Sequence, residues 1–564
     1  MASDLSLLGE CYDGGFGVEK DPVKAAELFR SASDRGSLTA ACSLGLCYEL
    51  GSGVEMDKAR AVELYRRAAE GGDARAQCNL GFCLYQGIGV EMDDAGAVEW
   101  FRKAAAQNYA RAQQLLGECY ENGYGVEADS VKAAQLYAQA HENGYIPATC
   151  ALGLCYETGA GVGRDLNKAV ELYRLAAEKG FPRAQCSLGY CYYRGIGVEE
   201  DDAQAFQWFA RAAGKGYLRA RHLLAECYEN GYGVEKDEAE AARLYKLNHD
   251  ANYIPSTCAL GVCYEFGTGV EMDKEEAVRL YRLAAEAGYV RAQCNLGYCC
   301  YRGIGTAEDN GLAVQWFAKA AQAGSGRAQQ LLGECYENGY GVEKDAEKAA
   351  ELYRQSHENG HLPGTCCLGL CYELGTGVAQ DKQKAAALYR QAAEAGNARA
   401  QCCLGFFYYH GIAVEEDDGE AFRWFELAAR QGYHRAEFYL GECYEYGYGV
   451  DADPEEACRW YGKAYDGGYR GAACALGRCC EEGRGGRRDP ARAVKFYQEA
   501  ADREDDEGQY RLGSCYERGV GVRRDLSRAR ALYQLAADQG HRKAREALKK
   551  MKKPGLLGGL LGRR

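Results

Sequence analysis

The sequence predicts an all-α solenoid of about fifteen antiparallel helix pairs, and three observations support this fold class. A glycine recurs every 36 residues from Gly9 to Gly513, with Ala225 as the one substitute. An aspartate recurs at the same interval from Asp21 to Asp525. Apolar residues on both sides of this aspartate recur at helical spacing. Because a fixed period of 20–50 residues is typical of repeat architectures, the chain is expected to be one continuous array.

Residues 111–144 show how one repeat is built. The glycine of the 36-residue period, here Gly117, is called the anchor glycine, and we expect it to let two helices approach closely. Gly123 and Gly125 then end the first helix. One face of that helix is formed by Ala112, Leu116, Gly117 and Tyr120.

The second helix of the same repeat begins after Asp129. An Asp before a helical pattern is typical of an N-cap, whose carboxylate accepts hydrogen bonds from free backbone N–H groups. Gly144 ends the helix as a C-cap residue. A single helix pair cannot bury its apolar face alone, so each repeat requires its neighbours. The predicted buried face consists of Ala133, Leu136, Tyr137 and Ala140.

These residues carry a family resemblance. The repeat resembles the Sel-1-like repeat (SLR), a relative of the tetratricopeptide repeat, and the resemblance covers nearly the whole chain. It implies a right-handed superhelix of helix pairs that serves as an adaptor or scaffold for other proteins, without catalytic residues or a cofactor. The matching positions in one repeat are Leu152, Gly153, Tyr156, Gly159, Gly161, Val162, Asp165, Lys168, Ala169, Leu172, Tyr173, Ala176, Ala177 and Gly180.

The repeats also cycle in threes, which gives a larger period of 108 residues. The string LLGECYENGYGVE begins at Leu115 and returns nearly unchanged at Leu223 and Leu331. We therefore expect five triplets over residues 1–541. Residues 542–564 hold nine basic residues and one acidic residue, and we expect a basic capping helix and a flexible tail there. This basic segment either is a solvent-exposed cap of the solenoid, or contacts an acidic partner, a membrane surface or the acidic face of another copy.

Composition narrows the class of partner. The net charge is −14, which disfavours nucleic acid, because phosphate binding requires a basic surface. Basic or amphipathic peptides are favoured instead. No apolar run reaches the roughly 20 residues of a membrane span, and the first residues do not read as a secretory signal. We therefore expect a cytoplasmic protein without stable membrane insertion.

The chain contains 28 cysteines, many of them in C-x4-C pairs such as Cys42 and Cys47. On a helix, five residues rise about 7.5 Å and place the two thiols on different sides, so a disulfide within the helix is excluded. Bridges between neighbouring repeats stay possible. We expect mostly reduced thiols that act as small apolar packing residues. A thiol-rich metal- or redox-responsive protein is the alternative function.

In tetratricopeptide relatives, the first helix of each repeat lines the concave surface. The resemblance places the lining positions six and three residues before the anchor glycine, and one, four and five after it. The three repeats of a triplet are called first-kind, second-kind and third-kind in chain order. In that order they present Arg111, Gln114, Glu118, Glu121 and Asn122; Pro147, Cys150, Leu154, Glu157 and Thr158; and Arg183, Cys186, Tyr190, Tyr193 and Arg194. Later triplets add Glu226, Glu229, Tyr298, Tyr301, Arg302, Glu334 and Glu337.

Carboxylates, tyrosine rings and arginines in this pattern suit recognition of an extended or helical peptide. Copying of a 108-residue block would also preserve such residues without a role in binding. Gly-rich strings such as the one at Gly195 follow a helix and are turns, not phosphate loops. His141, His249 and His357 lie near the ends of second helices, where a histidine is usually hydrogen-bonded. No catalytic or metal-binding constellation is found, so we predict a non-enzymatic protein-interaction scaffold.

Overall fold

The computed structural model describes residues 2–552, and these residues form thirty-one α-helices and no strand. The chain divides into two compact units, Met1–Leu280 and Tyr281–Arg564. Within each unit, the helices alternate between the first and the second helix of successive repeats. The structure is thus the predicted all-α solenoid of helix pairs.

The helices have nearly uniform length. The first helices of the repeats are α1 (Ala2–Gly14), α3 (Leu38–Leu50), α5 (Ala74–Gln86), α7 (Ala110–Asn122), α9 (Ile146–Thr158), α11 (Pro182–Arg194), α13 (Leu218–Asn230), α15 (Ile254–Phe266), α17 (Val290–Arg302), α19 (Gly326–Asn338), α21 (Leu362–Leu374), α23 (Ala398–Tyr409), α25 (His434–Tyr446), α27 (Arg470–Glu482) and α29 (Asp506–Arg518). The second helices are α2 (Pro22–Asp34), α4 (Lys58–Glu70), α6 (Asp94–Ala106), α8 (Ser130–Glu142), α10 (Leu166–Glu178), α12 (Asp202–Gly214), α14 (Glu238–Asp250), α16 (Lys274–Glu286), α18 (Asn310–Gln322), α20 (Ala346–Glu358), α22 (Lys382–Glu394), α24 (Asp418–Arg430), α26 (Pro454–Asp466), α28 (Pro490–Asp502) and α30 (Leu526–Asp538), followed by α31 (Arg542–Lys552).

The predicted helix ends are confirmed. The Asp129 carboxylate accepts a hydrogen bond from the backbone N–H of Lys132, and the aspartates of all the other repeats cap their second helices in the same way. The first helix ends at Gly123, whose φ of 77° lies in the left-handed region that favours glycine.

The anchor glycine allows the two helices of a repeat to approach closely. A Cβ atom at Gly117 would lie 2.6 Å from the ring of Tyr137, the large buried aromatic residue of the second helix. A side chain at this position would therefore displace the ring. The sequence interpretation of this glycine is confirmed.

A second glycine in each loop connects neighbouring repeats. Gly125 has a φ of 62°, and a Cβ atom there would collide with the backbone of Asp94 at the start of the preceding second helix. Ala413 occupies the equivalent position in a later repeat and keeps a positive φ of 55°. There the preceding first helix, α23, ends at Tyr409, one residue earlier than its equivalents.

Within each unit, and leaving aside α16 at the boundary, the second helices pack against their own first helix and against the first helix that follows. Buried glutamines add hydrogen bonds at these junctions: Gln77 Nε2 donates to the carbonyl of Ala69 at 3.1 Å. The expected hydrogen bond of His141 is found, since its Nδ1 lies 2.8 Å from Thr149 Oγ1 of the next repeat. His249 and His357 pair in the same way with Thr257 and Thr365.

The last described helix, α31, packs against α30. Ala544 and Leu548 are buried beside Tyr533, so this helix covers the apolar face of the last repeat. The end of the predicted capping helix at Lys553 and the predicted tail from Pro554 lie outside the described residues. No helix within residues 2–552 is both long enough and apolar enough to cross a membrane.

Candidate functional site

The first helices of neighbouring repeats contact one another through their side chains. Arg111 Nη1 on α7 donates a hydrogen bond to Asn79 Oδ1 on α5 at 3.3 Å. Arg327 and Asn295 repeat this contact at 3.2 Å in the second unit. The surface formed by the five lining positions of successive first helices, together with the adjoining loop tyrosines, is called the first-helix face. Within each unit it runs across several repeats.

Tyrosine pairs lie on this face at the junctions between third-kind and first-kind repeats. The ring centroids of Tyr193 and Tyr232 are 5.5 Å apart, and those of Tyr301 and Tyr340 are 5.8 Å apart. Tyr190 lies 6.3 Å from Tyr193 and extends the first pair. Such distances are typical of favourable aromatic contacts. Equivalent pairs are formed by Tyr85 with Tyr124 and by Tyr409 with Tyr448.

The loop tyrosines Tyr232 and Tyr340 were not selected from the sequence. Their signal was present, because this tyrosine returns every 108 residues in the GYG string of first-kind repeats. The partner of each loop tyrosine could not be read from the pattern, since the contact crosses from one repeat to the next. Tyr340 is exposed, whereas Tyr193 and Tyr301 are half-buried.

Arginines of first-kind repeats lie over an aromatic ring of the preceding third-kind repeat. That ring belongs to the residue directly after the anchor glycine. The guanidinium of Arg219 lies 5.8 Å from the Tyr190 ring centroid, and that of Arg327 lies 5.6 Å from Tyr298. Arg111 lies 5.2 Å from Phe82 in the same geometry. Each contact contributes about 0.5–1 kcal/mol at an exposed site. These contacts fix the orientation of the flat rings on the first-helix face.

The carboxylates one position after the anchor of first-kind repeats are partly buried on this face. Gln114 donates a hydrogen bond to Glu118, and Asn122 Nδ2 donates to the Glu118 backbone carbonyl at 2.9 Å. Burial raises the pKa of Glu118 and of its equivalent Glu334 above the usual carboxyl value. In the next equivalent, Glu442, burial raises the pKa to about 7.

The equivalent carboxylate in the repeat anchored at Ala225, that of Glu226, has a different neighbour. Glu226 Oε1 lies 3.4 Å from Nε2 of His222, which occupies the position of Gln114 and Gln330. The Nδ1 atom of the same imidazole lies 2.9 Å from Ser256 Oγ on the next first helix. This histidine was not selected from the sequence, because it occurs in only one triplet.

Four other predicted lining carboxylates are hydrogen-bonded to the core. The hydroxyl of Tyr137, which is buried in the second helix, donates to Glu121 Oε2 at 2.6 Å. The same bond joins Tyr173 to Glu157, Tyr245 to Glu229 and Tyr353 to Glu337. These glutamates satisfy a tyrosine hydroxyl, so their position on the face has a structural cause.

The sequence contains a signal for this bond. Every repeat with tyrosine as the large second-helix aromatic has glutamate sixteen residues earlier, as in Tyr137 and Glu121. Repeats with phenylalanine have tyrosine or aspartate there, as in Phe101 and Tyr85. Phenylalanine has no hydroxyl to satisfy, which explains the difference.

The remaining predicted residues lie on the surface. Arg183, Arg194 and Arg302 are exposed, and Leu154 is half-buried. Exposed apolar side chains also lie on this face, five residues after the anchor of second-kind repeats. Thr158 occupies this position in the second triplet. At this position Leu50, Phe266 and Leu374 are 62, 64 and 62 % exposed. Exposed apolar side chains of this size are typical of contact surfaces.

Most of the cysteine thiols are buried and have low reactivity. Within residues 2–552, no group of three or more His, Cys, Asp or Glu residues could hold a metal ion. Most cysteines are buried, and burial raises the pKa of Cys119 to about 11 and that of Cys42 to about 12. Such thiols are protonated near neutral pH and react poorly.

One disulfide is present in the described part of the chain. It joins Cys458 on α26 to Cys479 on α27, with the two Cα atoms 6.3 Å apart. These helices belong to consecutive repeats. The bridge between neighbouring repeats that the sequence left possible is therefore formed at this junction, while twenty-six other cysteines carry thiols.

Comparison with known proteins identifies the repeat. The Sel1 repeat family matches fifteen times, from residues 4–37 to residues 506–541. Repeats of this family commonly mediate protein–protein interaction and are generally non-catalytic. A search of curated proteins found no match.

Among solved structures, c5321, a protective antigen of uropathogenic Escherichia coli with an SLR fold, is 31% identical over 89% of this chain and 99% of its own, with a TM-score of 0.49. A Sel1 repeat protein from Oxalobacter formigenes is 33% identical over 43% of this chain and 96% of its own, with a TM-score of 0.41. Fifteen consecutive matches leave one conclusion: this chain is a member of the Sel1 repeat family.

Proposed function

We propose that this protein is a non-enzymatic scaffold that binds peptide or protein partners on its first-helix face. The observation that carries this proposal is the set of tyrosine pairs, such as Tyr193 with Tyr232 and Tyr301 with Tyr340. Tyr193 and Tyr232 pack against the core on one side and remain partly exposed to solvent on the other. Partly exposed tyrosines beside arginines are enriched among residues that dominate binding energy.

The chemistry of the face favours a basic or amphipathic partner. Glu118, Glu226 and Glu334 place a carboxylate at the same position of successive triplets. Exposed Leu50 and Phe266 add apolar contact area in the first unit. A peptide that presents basic and apolar side chains in alternation would meet similar contacts several times, and repeated weak contacts raise the overall affinity.

Affinity capture from a lysate, followed by mass spectrometry, identifies the partners and tests the proposal. The wild-type chain is compared with the double variant Tyr193→Ala/Tyr301→Ala. We expect the variant to lose most of the captured partner, because two binding rings are removed, while circular dichroism shows unchanged helicity.

The control is the double variant Leu175→Ala/Leu283→Ala. Leu175 and Leu283 are also exposed, 42 and 43 %, and also recur after 108 residues, but they lie on second helices. This variant is expected to capture the partner as the wild type does. Equal capture by the tyrosine variant, or equal loss in both variants, would contradict binding at the first-helix face.

A further inference from the structure

A small cleft lies on the first-helix face of the second unit, among α21, α22, α23 and α25. Its volume is about 120 Å³, which is the size of one side-chain head group. Two arginines from consecutive repeats line it: Arg399 is exposed and Arg435 is half-buried. The other polar residues in its wall are Cys366, Cys403, Tyr389 and Glu373.

The residues that face these two arginines differ from their equivalents elsewhere in the chain. Two equivalents of Arg435 donate to an asparagine: Arg111 to Asn79 and Arg327 to Asn295. Cys403 occupies that asparagine position here. Arg399 Nη1 similarly reaches only the thiol of Cys367, at 3.8 Å. Serine or alanine stands at the position of Cys367 in the other triplets, at Ser43, Ala151 and Ala259.

The two guanidinium groups therefore retain donor capacity. Each carries five N–H donors, and a thiol is a weak acceptor. In the part of the chain that the structure describes, neither arginine forms an ion pair with a carboxylate. Arg399 contacts the Cys367 thiol, and Arg435 lies 5.6 Å from the ring centroids of both Phe406 and Tyr439 and donates one hydrogen bond to the Tyr439 hydroxyl. The Glu373 carboxylate accepts a hydrogen bond from Tyr389 at 2.6 Å, as Glu121 does from Tyr137.

Two arginines and one carboxylate, that of Glu373, line the cleft, so the charge of its lining is net positive. Cys366 and Cys403 share a hydrogen bond, which raises the pKa of the Cys366 thiol and, with the positive charges of Arg435 and Arg399, lowers that of Cys403. The net positive lining favours an anionic ligand.

We propose that this cleft binds one oxyanion group, a carboxylate or a phosphate, carried by a side chain of a bound peptide. Both groups offer oxygen acceptors that match the planar donor fork of arginine. The inference deepens the proposed function, because it assigns an anionic anchor to a partner that elsewhere meets carboxylates and tyrosines. It also predicts that the second unit binds an anionic side chain of the partner at a site that the first unit does not contain.

Saturation-transfer NMR on the full chain tests the cleft without a partner protein. The probes are the N-acetyl amides of glutamate, phosphoserine and, as a neutral control, glutamine. We expect signals for glutamate, phosphoserine or both, and none for glutamine. A stronger signal for one of the first two assigns the carboxylate or the phosphate as the ligand.

Three variants locate the signal. Cys403→Asn introduces the asparagine acceptor found at Asn79 and Asn295 and should reduce the signal by about fivefold without removing a charge. Arg399→Gln/Arg435→Gln should abolish it. Arg327→Gln removes an equivalent of Arg435 that lies outside the cleft and donates to Asn295, so it should leave the signal unchanged.

An equal signal from the glutamine probe, or a signal that Cys403→Asn and the arginine double variant both retain, would overturn the inference. Circular dichroism establishes that each variant is folded, and Cys403→Asn decides the matter if the arginine double variant is not. Because the probes bind without a partner, these results are independent of the tyrosine variants. Failure of this inference is therefore distinguishable from failure of the proposed function.

Discussion

At the scale of single residues, the hydroxyl of a buried tyrosine requires a particular residue on the opposite helix. Tyr137 is almost completely buried, yet its hydroxyl reaches the edge of the first helix and meets Glu121. A buried hydroxyl without an acceptor would lose its hydrogen bonds to water. The glutamate therefore follows the tyrosine from repeat to repeat, and phenylalanine repeats can place tyrosine at that position instead.

Removal of this hydrogen bond is expected to weaken one repeat locally. Tyr137→Phe leaves Glu121 without its donor and should lower the free energy of local opening by about 1–2 kcal/mol. Hydrogen exchange of the amides in α7 and α8 measures this change. Glu121→Gln keeps an acceptor and should have a smaller effect. Unchanged exchange in Tyr137→Phe would contradict a stabilising role for the bond.

A second residue-scale prediction concerns pH. The pKa of Glu442 is raised by burial from 4.5 to about 7, so the folded state binds a proton that the unfolded state has released. The stability due to this group is complete below pH 4.5 and is lost as the pH rises through 7. Glu442→Gln removes the titration.

At pH 8, the amides of α25 should exchange more slowly in Glu442→Gln than in the wild type, by an amount equivalent to about 1–3 kcal/mol. At pH 5 the two proteins should be much closer, because most of the wild-type glutamate is then protonated. A difference that does not depend on pH would exclude Glu442 as the titrating group.

At the scale of the elements, the loop between the two helices is the most constrained segment. The glycine pair Gly123 and Gly125 has positive φ at both positions, and the second glycine contacts the preceding repeat. Ala413 departs from this rule, since a residue with a Cβ atom occupies the left-handed region there. Such a conformation costs roughly 1–2 kcal/mol for a residue other than glycine.

Ala413→Gly should relieve this strain. We expect slower hydrogen exchange in α23 and α24, equivalent to about 1 kcal/mol, because glycine adopts a positive φ without a steric cost. The opposite substitution in a regular loop, Gly125→Ala, should destabilise its repeat. If Ala413→Gly weakens its repeat as well, the alanine side chain makes a contribution that outweighs the strain.

At the scale of the whole molecule, the helices within each unit pack mainly against their neighbours along the chain. Local opening of one repeat therefore need not unfold distant ones, which is typical of repeat arrays. For the same reason, hydrogen exchange of single helices is a better measure of stability here than one melting temperature.

Thiol chemistry tests the alternative of a metal- or redox-responsive protein. Under denaturing, non-reducing conditions, a chromogenic thiol reagent should detect twenty-six thiols, since Cys458 and Cys479 are bonded to each other. In the native protein only the partly exposed Cys11, Cys403 and Cys480 should react rapidly. Metal analysis should find no stoichiometric metal. Rapid reaction of many thiols in the native state, or bound metal, would instead support the alternative.

Helix ends, anchor glycines and the helix-pair fold could be predicted from the sequence because each has a local cause. Asp129 caps the helix that follows it, and Gly123 ends the helix that precedes it. The lining positions could be predicted only as a set. Whether Glu121 is available to a partner depends on Tyr137, which is sixteen residues away but adjacent in space.

By itself, the sequence determined the repeat, its period and the ends of its helices, because these follow from hydrophobic spacing, capping and turn chemistry within 36 residues. Only the tertiary structure decided which side chains meet across repeats. It paired Tyr193 with Tyr232, bonded Cys458 to Cys479 and placed Arg399 and Arg435 in one cleft. Such contacts depend on how far each repeat is translated and rotated against the next, and that displacement is set by packing rather than by local sequence pattern.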